Sequence, residues 1–329
     1  MNSSIQLRLL GPFRVERARQ PVTTFKSNKV RALLAYLAVE RQQSHHRDVL
    51  ADLLWPTSSN APASLRDALS NLRRVLDDRD ADLPLIRVVA DTLQLNPLAF
   101  DQGLIRLDVA AVTDLRPDAS EAALEHATAL YRGDFLDGFA LSGCPDFEAW
   151  MLLHRESYRR QILNVLYRLT TFRLQRGDYA QAQASARRQL VLDGYNEDAH
   201  RQLIRALAFD GQRNRALTHY AAYAEMLEEE LGVAPDIRTT ALYQRIRDRR
   251  LQPHSQPAPA NILSDDAMPF VGREAEIARL EVALQQAQRG AGQVRFVTGE
   301  AGSGKTMLVQ AFAHRVLARA DDIVVARGV

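Results

Sequence analysis

Eight residues in this 329-residue sequence carry the clearest chemistry. Gly299-Glu300-Ala301-Gly302-Ser303-Gly304-Lys305-Thr306 satisfies G-x-x-x-x-G-K-[ST] in full, between an apolar strand, Val294–Thr298, and an amphipathic helix, Met307–Leu317. Gly299, Gly302 and Gly304 let successive backbone N–H groups curl round phosphates without Cβ clashes. Lys305 neutralises β- and γ-phosphate oxygens, and the Thr306 hydroxyl can ligate Mg²⁺. The chemistry implied is ATP/Mg²⁺ binding. Hydrolysis also needs an acid at the end of a later strand, to hold the metal and position water. Asp321-Asp322 precede the next strand, Ile323–Ala326, instead of ending one, and 23 residues follow Thr306. The expectation is an ATPase domain present only in its first part, in a longer parent or by natural truncation, with no catalysis by this chain. Measurable Mg²⁺-dependent ATP turnover would contradict it.

A second set of residues suits duplex DNA. A helix opening near Pro62 buries a stripe of Leu65, Ala68, Leu69, Leu72 and Leu76. At 100° per residue Asp67, Ser70 and Arg74 fall on the opposite face, flanked by Arg66 and Arg73. A helix fits the major groove, where arginine bonds guanine bidentately and serine serves base edge or phosphate. Arg47 begins the preceding helix, and Lys26 and Lys29 stand near the start of the one before. All three can meet phosphate beside helix-terminal N–H groups. The plain alternative for every one of these cations is a solvated helix face. Local charge favours the first reading: residues 1–76 hold 12 basic groups against five acids, a balance of +7, whereas residues 77–108 stand at −4. The whole-chain charge of +2 hides this segregation, and phosphate binding needs only a local field.

The elements that would position these groups fall into compositional regimes. Ile5, Leu7, Leu9, Phe13 and Val15 alternate with polar neighbours around Gly11-Pro12, which predicts a small antiparallel sheet. Val30, Leu33, Leu34 and Leu37, and then Val49, Leu50, Leu53 and Leu54, predict two amphipathic helices, the second stopped at Trp55-Pro56. Trp55 and Tyr36 read as core aromatics. After the Pro62 helix and an acidic turn, 85–89 and 92–95 predict a hairpin. Residues 109–250 read almost entirely as helix. Gly177 and Gly211 lie 34 residues apart, as do Ala182 and Ala216, which is the tetratricopeptide period. Helices around 120–131 and 146–170 would close the ends of the stack. Residues 251–268, with three prolines and little periodicity, predict a linker.

Several classes are excluded. The single cysteine, Cys144, permits neither an intrachain disulfide framework nor a multi-cysteine metal site. His45-His46 is an adjacent doublet whose rings point apart, so no metal site and no catalytic constellation is expected. The N-terminus lacks a secretory pattern, and no apolar run approaches the ~20 residues that span a bilayer. The expectation is a cytoplasmic protein, nucleoid-associated when on DNA, with no membrane partner.

Lys26-Ser27-Asn28-Lys29 with Arg31–Leu37, then Arg47–Trp55, then Ala68-Leu69-Ser70-Asn71-Leu72-Arg73-Arg74-Val75-Leu76, resemble the OmpR-type winged helix of SARP-type bacterial transcriptional activators. Arg132-Gly133-Asp134-Phe135-Leu136 and Asn196-Glu197-Asp198-Ala199 are similar to the bacterial transcriptional activation domain that accompanies it. Phe270-Val271-Gly272-Arg273-Glu274 looks like the entry segment of AAA-type and STAND ATPases, which places Val271, Gly272 and Arg273 beside the nucleotide.

The resemblance implies a mainly α, multidomain chain. A winged helix-turn-helix (1–108) precedes tetratricopeptide-like all-α repeats (109–250), the linker (251–268) and the start of an α/β P-loop domain (269–329). It implies that the third helix enters the major groove, that a wing carrying Arg87 approaches the minor groove, and that protomers pair in tandem on direct repeats. The loop with Pro56, Thr57, Ser58 and Ser59 would face RNA polymerase. Many relatives carry histidine and arginine where this chain has Ala68 and Asn71, and Gly-Tyr where the wing has Asp91-Thr92. The function expected is transcriptional activation under a nucleotide-binding switch. The alternatives are a signalling STAND-type NTPase whose N-terminal modules are protein-interaction platforms, and a helical scaffold.

Overall fold

The computed structural model describes residues 4–79, 81–249 and 274–288, with single positions at 297, 308, 309 and 312. The chain divides into two units, residues 1–256 and 257–329.

In the first unit, period-two burial of Ile5 and Leu7 makes β1 (Ile5–Arg8). It pairs antiparallel with β2 (Arg14–Arg17), Leu7 opposite Val15, and β3 (Gln20–Pro21) follows on β2's far side. Then come α1 (Asn28–Val39), β4 (His45–His46), α2 (Arg47–Leu54) and α3 (Ala61–Leu76). Next are β5 (Ile86–Val89), β6 (Thr92–Leu95), α4 (Pro97–Asp101) and β7 (Ile105–Leu107). Two features differ from the sequence expectation. The N-terminal sheet is mixed, because β7 returns to lie parallel to β1 with Ile105 opposite Ile5. The hairpin is three-stranded, in the order β4-β6-β5, because His45 and His46 pair with Leu93 and Thr92.

Apolar periodicity places most of the core correctly. Val30, Leu33, Leu34 and Leu37 of α1 are buried, as are Leu65, Ala68, Leu69, Leu72 and Leu76 of α3. Val49 is a correction: it is 54 % exposed. Leu50, Ala51 and Leu54 define the buried face of the eight-residue α2, and at 100° per residue Val49 lies well round the helix from their midpoint.

The remaining elements are helices α5 (Ala110–Thr113), α6 (Glu121–Leu130), α7 (Pro145–Arg176), α8 (Tyr179–Leu192), α9 (Glu197–Phe209), α10 (Arg213–Leu231) and α11 (Ile237–Arg247). The 34-residue repeat has a backbone cause. Gly177 and Gly211 each end a helix at positive φ, +82° and +75°, where a side chain is strained. Residues 131–144 interrupt the expected all-helical region because their backbone is engaged elsewhere. Arg132 N donates to Leu10 O (3.2 Å), Gly11 N to Asp134 O (3.0 Å) and Leu136 N to Leu9 O (2.8 Å). A Cβ on Gly11 would stand 3.4 Å from that of Arg132, on backbone at φ +116°. One core therefore runs from Leu33, Leu37 and Leu72 through Phe135 and Phe147 to Ile162 and Leu166.

Asp108 locks this seam. Its carboxylate accepts from Leu9 N at 2.8 and 2.9 Å, from Leu10 N at 3.0 Å and from Arg132 Nη2 at 3.4 Å. Burial raises its pKa, and the N–H donors and Arg132 work against that rise.

Further along, His200 Nε2 donates to Gly194 O at 2.9 Å, so its Nδ1 accepts from His219 Nε2, also at 2.9 Å. Burial lowers the pKa of both rings, that of His219 to about 4, with His200 and Arg187 adding to the effect. The folded state therefore favours neutral rings. Their contribution to stability is complete above the usual histidine value and is lost as pH falls from about 6.5 to about 4. Melting temperature should decline across that window more steeply in the wild type than in His219→Gln, measured by thermal denaturation at stepped pH.

In the second unit α12 (Glu274–Gln288) buries Ile277 and Ala283. The linker and the expected nucleotide-site residues Val271, Gly272, Arg273, Gly299, Gly302, Gly304, Lys305 and Thr306 lie outside the described residues. Among the described residues no helix is long and apolar enough to cross a membrane.

Candidate nucleic-acid interface

Helix α3 starts with Pro62 in its first turn and ends at Asp77, whose φ of 60° turns the chain sharply toward the wing. Asp78 then fixes where the wing lies. It is 3 % exposed, and its carboxylate accepts from the backbone N–H groups of Leu85 and Ile86 at the head of β5. Burial pushes its pKa up, while those two N–H groups and the neighbouring Arg73 oppose the rise. The opposite end of the wing is tied by Arg47 N, which donates to Asp91 O at 2.8 Å. Both ends of the β5–β6 hairpin are thus bonded to the helices beside it. Asp78→Ala should cost about 1–3 kcal/mol, since two buried N–H groups lose their acceptor, and Asp78→Asn less; urea unfolding measures both.

Between α3 and the wing lies an open groove of about 1110 Å³. Arg47, Arg66, Ser70, Arg73 and Arg87, drawn from α2, α3 and β5, all line it. Arg79 joins them, with its Nη2 donating to Ser70 Oγ at 2.9 Å. Arg79 sits in an acidic turn that masks it in the sequence; its place three residues beyond α3 is the signal that marks it. The one acid on the groove wall, Asp78, is committed to backbone N–H groups. Among the described residues no carboxylate forms an ion pair with Arg47, Arg66, Arg73, Arg79 or Arg87. Arg47 Nε is buried without a hydrogen-bond partner among the described residues.

Other expected contacts lie elsewhere. Arg74 is exposed on α3 but does not line the groove, since it is rotated away from the wing. Lys26 is exposed before α1, and its backbone N–H is held by Asn71 Oδ1 at 3.1 Å. Lys29 Nζ stands 5.4 Å above the Trp55 ring. Trp55 and Tyr36 are half-buried and pack on the core. Ala68 and Asn71 are both buried. The two departures on α3 therefore change its inner packing and not the face it shows to solvent. Pro56, Thr57, Ser58 and Ser59 form an exposed loop, with Ser58 N bonded to Trp55 O at 3.0 Å. Among the described residues no group of histidine, cysteine and acids could hold a metal ion; His45 is buried and bonded to Glu40 O, and His46 is exposed.

Residues 100–247 match the bacterial transcriptional activator domain, and residues 269–329 match an AAA ATPase domain. The regulatory protein AfsR of Streptomyces coelicolor is 29 % identical over 352 aligned residues, 98 % of this chain and 33 % of AfsR. AfsR of Streptomyces griseus is 28 % identical, over 95 % of this chain and 32 % of its own length. The transcriptional regulatory protein MoaR1 of Mycobacterium tuberculosis is 27 % identical, over 74 % of this chain and 79 % of MoaR1. Among solved structures, Mycobacterium tuberculosis EmbR, in complex with a low-affinity phosphopeptide, superposes with a TM-score of 0.58 at 24 % identity, over 78 % of this chain and 66 % of EmbR. The chain thus spans about a third of the length of the AfsR proteins it matches.

A winged-helix fold, a match to the bacterial transcriptional activator domain and a match to an AAA ATPase domain follow one another in this mainly helical, multidomain chain. That order of domains is the one in which the chain is similar to SARP-type regulators.

Proposed function

We propose that this chain binds duplex DNA sequence-specifically and activates transcription, with α3 in the major groove and the β5–β6 wing beside the minor groove. The observation that carries this reading is the convergence of Arg47, Arg66, Arg73, Arg79 and Arg87 on one open groove with no carboxylate among the described residues paired to them. Five guanidinium groups lining one groove repel one another in the free chain, and a phosphate backbone relieves that repulsion while releasing its counterions.

Two protomers would sit in tandem on direct repeats, and the exposed loop at Pro56, Thr57, Ser58 and Ser59 would meet RNA polymerase. The match to an AAA ATPase domain, together with the Gly299–Thr306 motif, supports ATP/Mg²⁺ binding as the switch that biases the DNA-bound state. Tandem binding is tested by titrating the chain onto duplexes that carry two copies of its selected site. Head-to-tail copies should take up two chains cooperatively, and inverted copies should not; equal binding to both arrangements would exclude tandem docking.

A further inference from the structure

A hydrogen bond joins Arg79 to Ser70 on the wall of the arginine groove. Arg79 Nη2 donates to Ser70 Oγ at 2.9 Å. A serine hydroxyl has one hydrogen to give and two lone pairs to receive. Arginine can only donate, so this contact occupies one of the two lone pairs of Oγ, and its positive charge polarises the Ser70 O–H, which makes donation the favoured use of the hydroxyl. Both residues are exposed, and both line the groove with Arg66 and Arg73. Arg79 is itself held in place from behind, because its neighbour Asp78 is buried and bonded to the head of β5.

We propose that Arg79 is a positioning residue that fixes Ser70 as a hydrogen-bond donor, so that the middle of α3 selects a base presenting an acceptor in the major groove. The fitting groups are guanine O6 or N7, adenine N7 and thymine O4; the cytosine amino group, a pure donor there, is disfavoured. The inference rests on reading the groove as the DNA-facing surface. Without Arg79 the hydroxyl turns freely and serves donor and acceptor partners alike, so base choice at one position relaxes while phosphate contacts elsewhere persist.

The test begins with selection of sites from a random duplex library by the intact chain. Affinities of the wild type, Arg79→Ala, Ser70→Ala and Ser70→Thr are then measured on the selected site and on its single-base variants at fixed salt. The wild type and Ser70→Thr should discriminate against cytosine at one base position by on the order of tenfold. Arg79→Ala and Ser70→Ala should both lose that discrimination, at the same position and at no other. Both side chains are exposed, and unchanged melting temperatures will confirm that the variants fold. A uniform loss of affinity in Arg79→Ala with the base profile intact would make Arg79 a phosphate contact and overturn the proposal. So would a changed profile in Ser70→Ala alone. If the wild type enriches no site at all, the DNA reading beneath the proposal fails as well, which separates the two failures.

Discussion

Asp108→Ala is expected to destabilise the first unit by about 2–5 kcal/mol, because two backbone donors, Leu9 N and Leu10 N, and the Arg132 guanidinium all lose their buried acceptor. Leu9 N and Leu10 N both point at this carboxylate, and Arg132 approaches it from the far side of the seam. The cost falls where the edge of the N-terminal sheet meets residues 132–136, so the winged helix and the helical repeats should loosen together. Asp108→Asn should cost less, since its carbonyl still accepts from one of the two. The pH behaviour separates charge from hydrogen bonding. Burial raises the folded-state pKa of Asp108, so the native state favours the protonated acid, and its contribution to stability is lost as pH rises through that raised value. The asparagine variant carries no such charge and should flatten that part of the profile. Urea unfolding of the three proteins at stepped pH gives both quantities. Equal stability of the alanine variant and the wild type would mean that the seam is held by its backbone hydrogen bonds and apolar packing without Asp108.

Replacing Arg47, Arg66, Arg73 and Arg87 together by alanine is expected to lower affinity for a selected duplex by roughly 10³-fold, at about 1 kcal/mol or more for each contact removed. The salt dependence should fall with it. Each lost phosphate contact reduces the slope of log K against log salt by about 0.9, so four removed contacts reduce it by about 3–4. Lys26→Ala with Lys29→Ala is the matched control, because those lysines lie outside the groove and Lys29 is engaged with Trp55. That pair should cost less than tenfold, on the order of what two peripheral charges contribute. Comparable losses in the two sets would show that net charge alone governs binding. Fluorescence anisotropy at four salt concentrations is sufficient to distinguish them.

Local pattern reveals what local physics determines. The apolar stripe of α3, the 34-residue spacing of Gly177 and Gly211 and the 86–89/92–95 hairpin each depend on neighbours within one or two turns, and each is legible in the sequence. What escapes is set by partners distant in the chain. Nothing near Ile105 announces that β7 will join β1 a hundred residues back, nor that Asp108 will cap the chain at Leu9 and Leu10. Arg132-Gly133-Asp134-Phe135-Leu136 stands out as a motif, but its cause, close backbone pairing with Leu9–Gly11, becomes visible only in three dimensions. The interface divides in the same way. Arg66, Ser70 and Arg73 follow from helical angle alone. Arg79 does not, because its position depends on the left-handed turn at Asp77 and the buried Asp78 beyond it. Val49 shows the converse: an apolar residue in a short helix satisfies a pattern without being buried.

The most direct measurement is the affinity of the intact 329-residue chain for duplex DNA as a function of salt. Tight binding at low ionic strength is predicted, with a slope of log K against log salt of about −4 or steeper, and a selected site preferred over random duplex by 10³-fold or more. Indifference to every duplex at low salt, or an affinity that does not change as salt rises, would contradict the assignment of the arginine groove to DNA.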